Sequence, residues 1–433
     1  MIDIEEATYS HIQSLFPGFR SITGAGLRQT LAYIRMHTGA DIREIPSGTK
    51  VLDWEIPNEW TMRGATIRRL SGETIVDFTE NNLHILHYSK PINQRVSREE
   101  LDEHLYSLPD QPDLIPYRTA YYADTWGFCL TQTQRDLLSD AAYDVCIDAE
   151  VAPGSLSYGE LFLPGATSGE VLFSVHCCHP SLANDNLSSI AVAIELSKRL
   201  AQQPDRRYGY RFLFLPGTIG AIAWLQGNPE ATQRVRHGLV LSCLGDAGPP
   251  TYKQSRRGDA PIDRYVDYVL GSRGDIGRVR PFVPYGYDER QYCSPGFDLP
   301  VGCLMRSANG TFQEYHTSAD NLAFVKPKAL VDSLHLLEAI VDLIEGDYRP
   351  INTHPYGEPQ LGRRGLYATI GGQTGAPRTQ RQFDQLALLW VLNQADGSQS
   401  LLDITRRSGK PFEEIVLAAA ALEAAGLIER SPP

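Results

Sequence analysis

Apolar and polar positions follow several distinct rhythms along the chain. Near the N-terminus Leu27, Leu31 and Ile34 recur at helical spacing behind Thr23 and the glycines of "SITGAGLRQTLAYI", which predicts a helix entered from a turn. From about Ser47 to Pro112 the texture changes to short β-prone runs, "VLDWEIPNEWTMRGATIRRL", "ETIVDF" and "HILHY", broken by Pro, Gly and Asn-Asn. Residues 115 to 350 then alternate strand and helix, the signature of an α/β layer fold. Within them "EVLFSV" leads into His176, "YRFLFLP" into Gly217 and "GLVLSCLG" into Asp246, each a buried-strand pattern ending in a turn. In "LSSIAVAIELSKRL", Leu187, Ile190, Ala191 and Ile194 share one helical face. The stretch "INTHPYGEPQLGRRGLYATIGGQTGAP" is rich in Gly and Pro and reads as a linker, and the tail from Arg378 returns to helix-like runs.

Composition narrows the class. With 433 residues, 42% apolar and 21% charged, the chain is an ordinary globular protein with room for two or three domains. No run approaches the roughly 18 apolar residues of a membrane span, and the start "MIDIEEATYSHIQSLF" is acidic where a secretory signal would be basic. A cytoplasmic location is expected. Seven scattered cysteines, an odd number, argue against a disulfide framework. The net charge of −12 disfavours nucleic acid or an anionic membrane as the main partner. From Ala376 onward six Arg or Lys face seven Asp or Glu, so the tail lacks the basic face that phosphate binding requires. Its "VLAAAALEAAGLI" suits packing or a partner subunit, hence a possible homo-oligomer.

Candidate chemistry gathers at the strand ends. In open α/β sheets ligands collect beyond the carboxyl ends of strands, so the turns after the three runs should lie together. "SVHCCHPSLANDNLSS" packs two histidines, two cysteines and an aspartate into one of them, with Asp185 at or near a helix N-terminus. A catalytic zinc needs about three protein ligands and an open position. His176 or His179, Asp185, Asp246 and the distant His316 in "QEYHTSADNL" supply suitable groups, although hydrogen-bonded histidines and an aspartate helix cap would leave the same pattern. A thiolate site from Cys177 and Cys178 is disfavoured, because adjacent cysteines do not easily face one metal. In a Gly/Pro-flanked loop Asp288, Glu289, Arg290 and Tyr292 are candidates for substrate binding, as are Arg256 and Arg257 in "KQSRRG". Surface ion pairing is the competing reading for both groups. Tyr315, beside His316, is a candidate to orient a ligand or stabilise an oxyanion.

Four stretches, "HCCHPSLANDNLSS", "SCLGDAG" with "TYKQSRRG", "YGYDERQYCSPGFDLPVGCLMR" and "EYHTSADNL", resemble in order the motifs of a bacterial family of aminopeptidase-like proteins. That family belongs with the zinc-dependent aminopeptidases of phosphorylase/hydrolase-like α/β fold. The resemblance implies a three-layer α/β/α domain over 1–46 and 113–350, a small β-rich insert over 47–112, a linker over 351–375 and a winged-helix-like domain over 376–433. It also implies zinc bound by His179, Asp185 and His316, with His176 at the place of the wider group's first histidine and Asp246 at that of its carboxylate ligand.

One departure stands out: the family usually reads Pro-Glu-Thr-Ile-Gly where this chain has Pro216, Gly217, Thr218, Ile219 and Gly220. A glutamate there would take a proton from metal-bound water, help worth about 10²- to 10⁴-fold. The expectation is a zinc-dependent hydrolase cleaving an amide bond in a small peptide or amino-acid-like biosynthetic intermediate. Its chemistry is weakened or altered, or Glu289 or Glu314 stands in for the missing group. The alternatives are an inactive metal-bearing scaffold and a metal-dependent acyl transferase.

Overall fold

The computed structural model describes residues 4–274, 277–366 and 385–431, and the chain divides into two compact units, Met1–Glu338 and Ala339–Pro433. In the first unit the strand-and-helix alternation builds an eight-stranded mixed sheet. Four parallel strands form its centre: β1 (Glu170–His176), β2 (Gly209–Leu215), β3 (Val235–Leu241) and β4 (Val301–Met305), in spatial order β2-β1-β3-β4. β1, β2 and β4 are buried at every position, which is why they read as continuous apolar runs. Beyond β2 the sheet adds Ser155–Leu163 and Asp41–Pro46, both antiparallel to their neighbours; beyond β4 it adds Thr251–Lys253 and Arg278–Arg280.

The strand order turns back at β1. Its connection to β2 leads one way across the sheet and β3 lies on the other side, so the carboxyl ends of β1 and β3 flank a topological switch point. Helix α1 (Ser189–Ala201) follows β1 and is buried on almost all sides, more than the single apolar face predicted. Its Ala, Ser and Ile content permits this close packing against β1, β2 and the N-terminal helix Ile4–Leu15. Helix α2 (Ile219–Gly227) follows β2. At the opposite end of β1, the buried Glu170 binds the buried Arg211 of β2 at 2.7 Å and the partly exposed Arg234 at 2.6 Å, a clamp on the start of the strand.

A second sheet is four-stranded and antiparallel, in the order Thr74–Asp77, Glu59–Arg69, Ala142–Ala152, Ile92–Ser97. Three of these strands come from the β-prone interval 47–112. The fourth lies beyond it and turns directly into Ser155–Leu163 of the main sheet. Pro and Gly punctuation suggested a boundary at 112, but strand pairing ignores that punctuation, and Tyr143, Val145 and Ile147 bury the alternating face that completes the sheet.

In the second unit Pro350–Asn352 pairs antiparallel with Ile428–Arg430 around three helices, Gln385–Gln394, Leu401–Ser408 and Phe412–Ala424. Ser400 and Asp403 close a capping box at the start of the middle helix, and Gly409 ends it in the left-handed conformation. The expected linker thus opens with a strand residue pair inside this unit, while 367–375 and the first residues of the expected tail domain, 376–384, lie outside the described residues. Among the described residues no helix is long and apolar enough to cross a membrane.

Candidate metal centre

At the switch point the chain leaves β1 through His176. His176, His179 and Asp185 each place one ligand atom within 4.8 Å of the others, and all three are buried. His176 Nε2 lies 2.8 Å from Asp185 Oδ1, and His179 Nε2 lies 3.9 Å from Oδ2. His316, 131 residues from Asp185 in sequence, brings its Nε2 to 3.0 Å from Oδ2. The His316 side chain is 33% exposed while that of Asp185 is fully buried, so the cluster opens to solvent on the His316 side.

Each group has a seat. Asp185 sits in the turn Ala183–Ser188 before α1, where it and Asn186 depart from helical dihedrals. Asp320 accepts the backbone N–H of Asn184 at 2.6 Å and of Asp185 at 2.9 Å, fixing that turn. The Asn186 side chain joins the ends of β1 and β3: its amide donates to the carbonyls of His176 and Leu241, and its Oδ1 accepts the N–H of Cys243. Arg20, wholly buried, donates to the carbonyls of His179 at 2.8 Å and Leu15 at 2.5 Å. The Tyr287 hydroxyl lies 2.9 Å from His179 Nε2, and its ring stacks on His176 at 3.7 Å. Tyr315 stacks on His316 at 4.0 Å.

Burial holds the His179 imidazole well below its ordinary pKa, and it lowers that of His176 against the opposing pull of Asp185. Burial disfavours ionised Asp185, but the surrounding imidazoles more than offset it and hold the carboxyl well below the usual range. Neutral imidazoles beside a carboxylate are the donor set that zinc takes, and the open side leaves a position for water.

The remaining sequence candidates are placed elsewhere. Asp246 is outside the cluster. Its oxygens accept from Asn184 Nδ2 (3.0 Å), Gly248 N (2.7 Å), Ser307 N (3.2 Å) and Ser307 Oγ (2.7 Å), so it ties these loops together. Glu289 is fully buried and committed to an ion pair with Lys253. Tyr292 is a core residue whose hydroxyl lies 2.9 Å from Ser174 Oγ. Asp288 accepts the N–H of Thr218 at 2.6 Å, at the start of α2, and burial pushes its carboxyl up to about 7. Arg290 Nε is buried with no hydrogen-bond partner among the described residues. Arg256 and Arg257 lie 3.6 and 3.2 Å from Asp298 with their side chains largely in water, the surface pairing weighed above. Glu314 and Tyr315 are half-buried beside His316, and the Glu314 carboxylate has no ion pair among the described residues. Gly217 borders the cluster: a Cβ there would stand 3.2 Å from Tyr287 Cε1 and 3.7 Å from His176 Cβ.

Four supporting residues were not singled out from sequence: Arg20, Asn186, Tyr287 and Asp320. Three of them lie inside the quoted motifs, so the motifs carried a signal that their individual chemistry did not. Arg20 carried none.

Residues 9–347 match a family described as a domain of unknown function, DUF4910, and residues 349–430 match a winged helix-turn-helix family. A Clostridium acetobutylicum protein, named provisionally a polysaccharide biosynthesis protein with aminopeptidase-like domain, is 46% identical over 414 residues, 96% of this chain and 94% of that one. A crystal structure from the same organism, described provisionally as a peptidase, aligns with a TM-score of 0.90 and 43% identity over 99% of this chain and 96% of its own. BSAP, a zinc aminopeptidase from Bacillus subtilis, aligns with a TM-score of 0.59 at 14% identity, over 78% of this chain and 94% of its own. The mixed α/β fold of the first unit is therefore the fold of zinc aminopeptidases.

Proposed function

The chain belongs to the DUF4910 family, with a winged helix-turn-helix behind it; from that premise we propose that it is a zinc-dependent hydrolase of the aminopeptidase-like class, acting on an amide bond of a small peptide or amino-acid-like biosynthetic intermediate. The observation that carries this reading is the approach of His179 and His316 to the same oxygen of Asp185 at the switch point, open on the His316 side. The relative's name, a polysaccharide biosynthesis protein, favours a dedicated intermediate over general protein turnover.

His179, Asp185 and His316 would hold the ion. When bound, zinc polarises an amide carbonyl and brings the pKa of its water to about 7. Tyr315 stacks on the His316 ring, and Tyr287 brings its hydroxyl to 2.9 Å from His179 Nε2. We assign proton removal to Glu314, two residues before His316, since Glu289 is held by Lys253 and position 217 offers no carboxylate. A base less well placed than the family's glutamate makes turnover slow.

Gly217 also supports a second reading, a metal-bearing scaffold or an acyl transferase. Binding of amino-acid-like ligands with no amide cleaved would favour the scaffold, and transfer of an acyl group to an amine in place of water would favour the transferase. For the winged helix we favour protein contact, including with a second copy of the chain. Its last helix, Phe412–Ala424, carries Glu413, Glu414 and Glu423 with no Lys or Arg to neutralise phosphates.

The test is elemental analysis of untagged protein, native and with Asp185→Ala or His316→Ala. One zinc per chain, lost in both variants, is expected. Protein that takes up no metal even after zinc is added ends the hydrolase reading.

A further inference from the structure

The two histidines of "HCCH" both reach Asp185, yet their ring nitrogens meet opposite chemistry. For His179 the deciding partner is Tyr287. Among the described residues the Tyr287 hydroxyl has one hydrogen-bond partner, His179 Nε2 at 2.9 Å. Tyr287 is half-buried, and with its hydroxyl as the donor of this contact Nε2 accepts and carries the lone pair. The ring proton then sits on Nδ1 and points at Cys178 Sγ, 3.4 Å away. The same sulfur accepts the N–H of Gly217 at 3.4 Å, which fixes it in place.

For His176 the deciding partner is Asn186. Its amide cannot be turned over, because its Oδ1 takes the N–H of Cys243 while its Nδ2 faces two backbone carbonyls. That Nδ2 also lies 3.0 Å from His176 Nδ1: its two hydrogens are shared among these three acceptors, and it has no lone pair to accept a ring proton from Nδ1. The ring proton of His176 is therefore on Nε2, where it is given to Asp185 Oδ1 at 2.8 Å. A nitrogen that carries a proton has no lone pair for a metal.

We infer that the site is a single-metal centre held by His179, Asp185 and His316, with His176 excluded as a ligand and Cys178 acting as the positioning residue that presents His179 Nε2. His176 is likewise a positioning residue, steadying the carboxylate through one oxygen and leaving the other for the ion. Cysteine thus takes the orienting part that a carboxylate or carbonyl usually plays behind a ligating histidine. The inference rests on the metal site proposed above, but the tautomers exist without the metal and can be read without it.

The first measurement is a two-bond ¹H–¹⁵N correlation on metal-free, ¹⁵N-histidine-labelled full chain. The expected result is a proton on Nδ1 of His179 and on Nε2 of His176, and the reverse pattern overturns the inference whether or not zinc binds. The second is zinc titration of the full chain. One ion per chain is expected. Cys178→Ala should weaken binding by about 10- to 100-fold, Cys178→Ser should recover most of the loss through its hydroxyl, and Cys177→Ala should leave the affinity unchanged. His176→Gln, whose amide still donates to Asp185, should keep the ion, while His179→Gln loses it. A second ion that vanishes in His176→Gln overturns the single-metal centre. Cobalt substitution guards the role of Cys178: the intense charge-transfer band of a cobalt–thiolate bond would make Cys178 a ligand and overturn its positioning role. Native protein that binds no zinc but shows the expected tautomers overturns the hydrolase reading and leaves the sorting of the two rings standing.

Discussion

Removing the Asp320 carboxyl should unseat the centre without touching it. Asp320 is fully buried, and each of its oxygens accepts one backbone N–H, from Asn184 and Asp185. Asp320→Ala leaves both donors without an acceptor. A buried donor left unpaired costs about 1–3 kcal/mol, so the pair predicts a loss of about 2–6 kcal/mol. Asp320→Asn keeps one carbonyl oxygen but turns an amide N–H₂ toward the other donor, so it should recover no more than about half of that loss. Because the chain has two compact units, a global unfolding curve mixes two transitions. Hydrogen exchange of the Asn184 and Asp185 amides reads the site itself. Both amides should be protected in the native chain and exchange at least about 30-fold faster in Asp320→Ala, the equivalent of 2 kcal/mol of local opening. Zinc affinity should fall in parallel, since Asp185 loses its anchor. Unchanged protection in Asp320→Ala would refute the claim that this carboxyl holds the turn.

Three further outcomes follow. Gly217→Ala should cost about 1–3 kcal/mol, read by native-state hydrogen exchange of the buried β1 and β2 amides, because the new methyl stands 3.2 Å from a Tyr287 ring already tied to both histidines; a stabilised variant would show that the ring yields freely. Arg20→Met should change stability by under about 2 kcal/mol, since a buried guanidinium bonded only to carbonyls carries a large desolvation cost. The same variant should weaken zinc roughly 10-fold through His179, and an unchanged affinity would count against that link. His237 in β3 is buried against Tyr208 and Tyr265, and burial holds its imidazole down at about 3. The unfolded chain takes up that proton near 6.5 and the folded one does not, so this contribution is whole above pH 6.5 and is lost as the pH falls toward 3, by up to about 1.4 kcal/mol per pH unit. His237→Phe should flatten the acid limb of the stability profile, and equal slopes would refute the assignment.

The sheet was legible because buried parallel strands leave uninterrupted apolar runs, and the site was legible because such strands deliver their next residues to one crevice. His179 and His316, from motifs far apart in the chain, both lie beside Asp185 Oδ2. Asp246 did not join them: the strand end was read correctly, but nothing in "SCLGDAG" shows that Asn184, Gly248 and Ser307 would saturate its oxygens. Glu289 and Tyr292 were misplaced for a related reason, since a short buried helix and an exposed loop share the same Gly/Pro punctuation. The fourth strand of the second sheet was missed because pairing between distant segments leaves no local mark. The choice between His176 and His179 is of the same kind. It depends on which atom faces each Nδ1, and those atoms belong to Cys178, Asn186 and, through Tyr287, a residue more than a hundred positions away.

The pairing of Asp185 with His316 has a consequence for the order in which the molecule comes apart. An ion shared by these two side chains would be a removable cross-link closing a loop of 131 residues. For a covalent bridge of that span, chain-entropy arithmetic gives a restraint on the unfolded chain of about 4–5 kcal/mol. Stripping the metal would therefore act first as the opening of a clasp, loosening the segment around His316 while the buried strands beneath stay closed. Limited proteolysis near residues 309–318, fast without zinc and slow with it, would make that clasp visible.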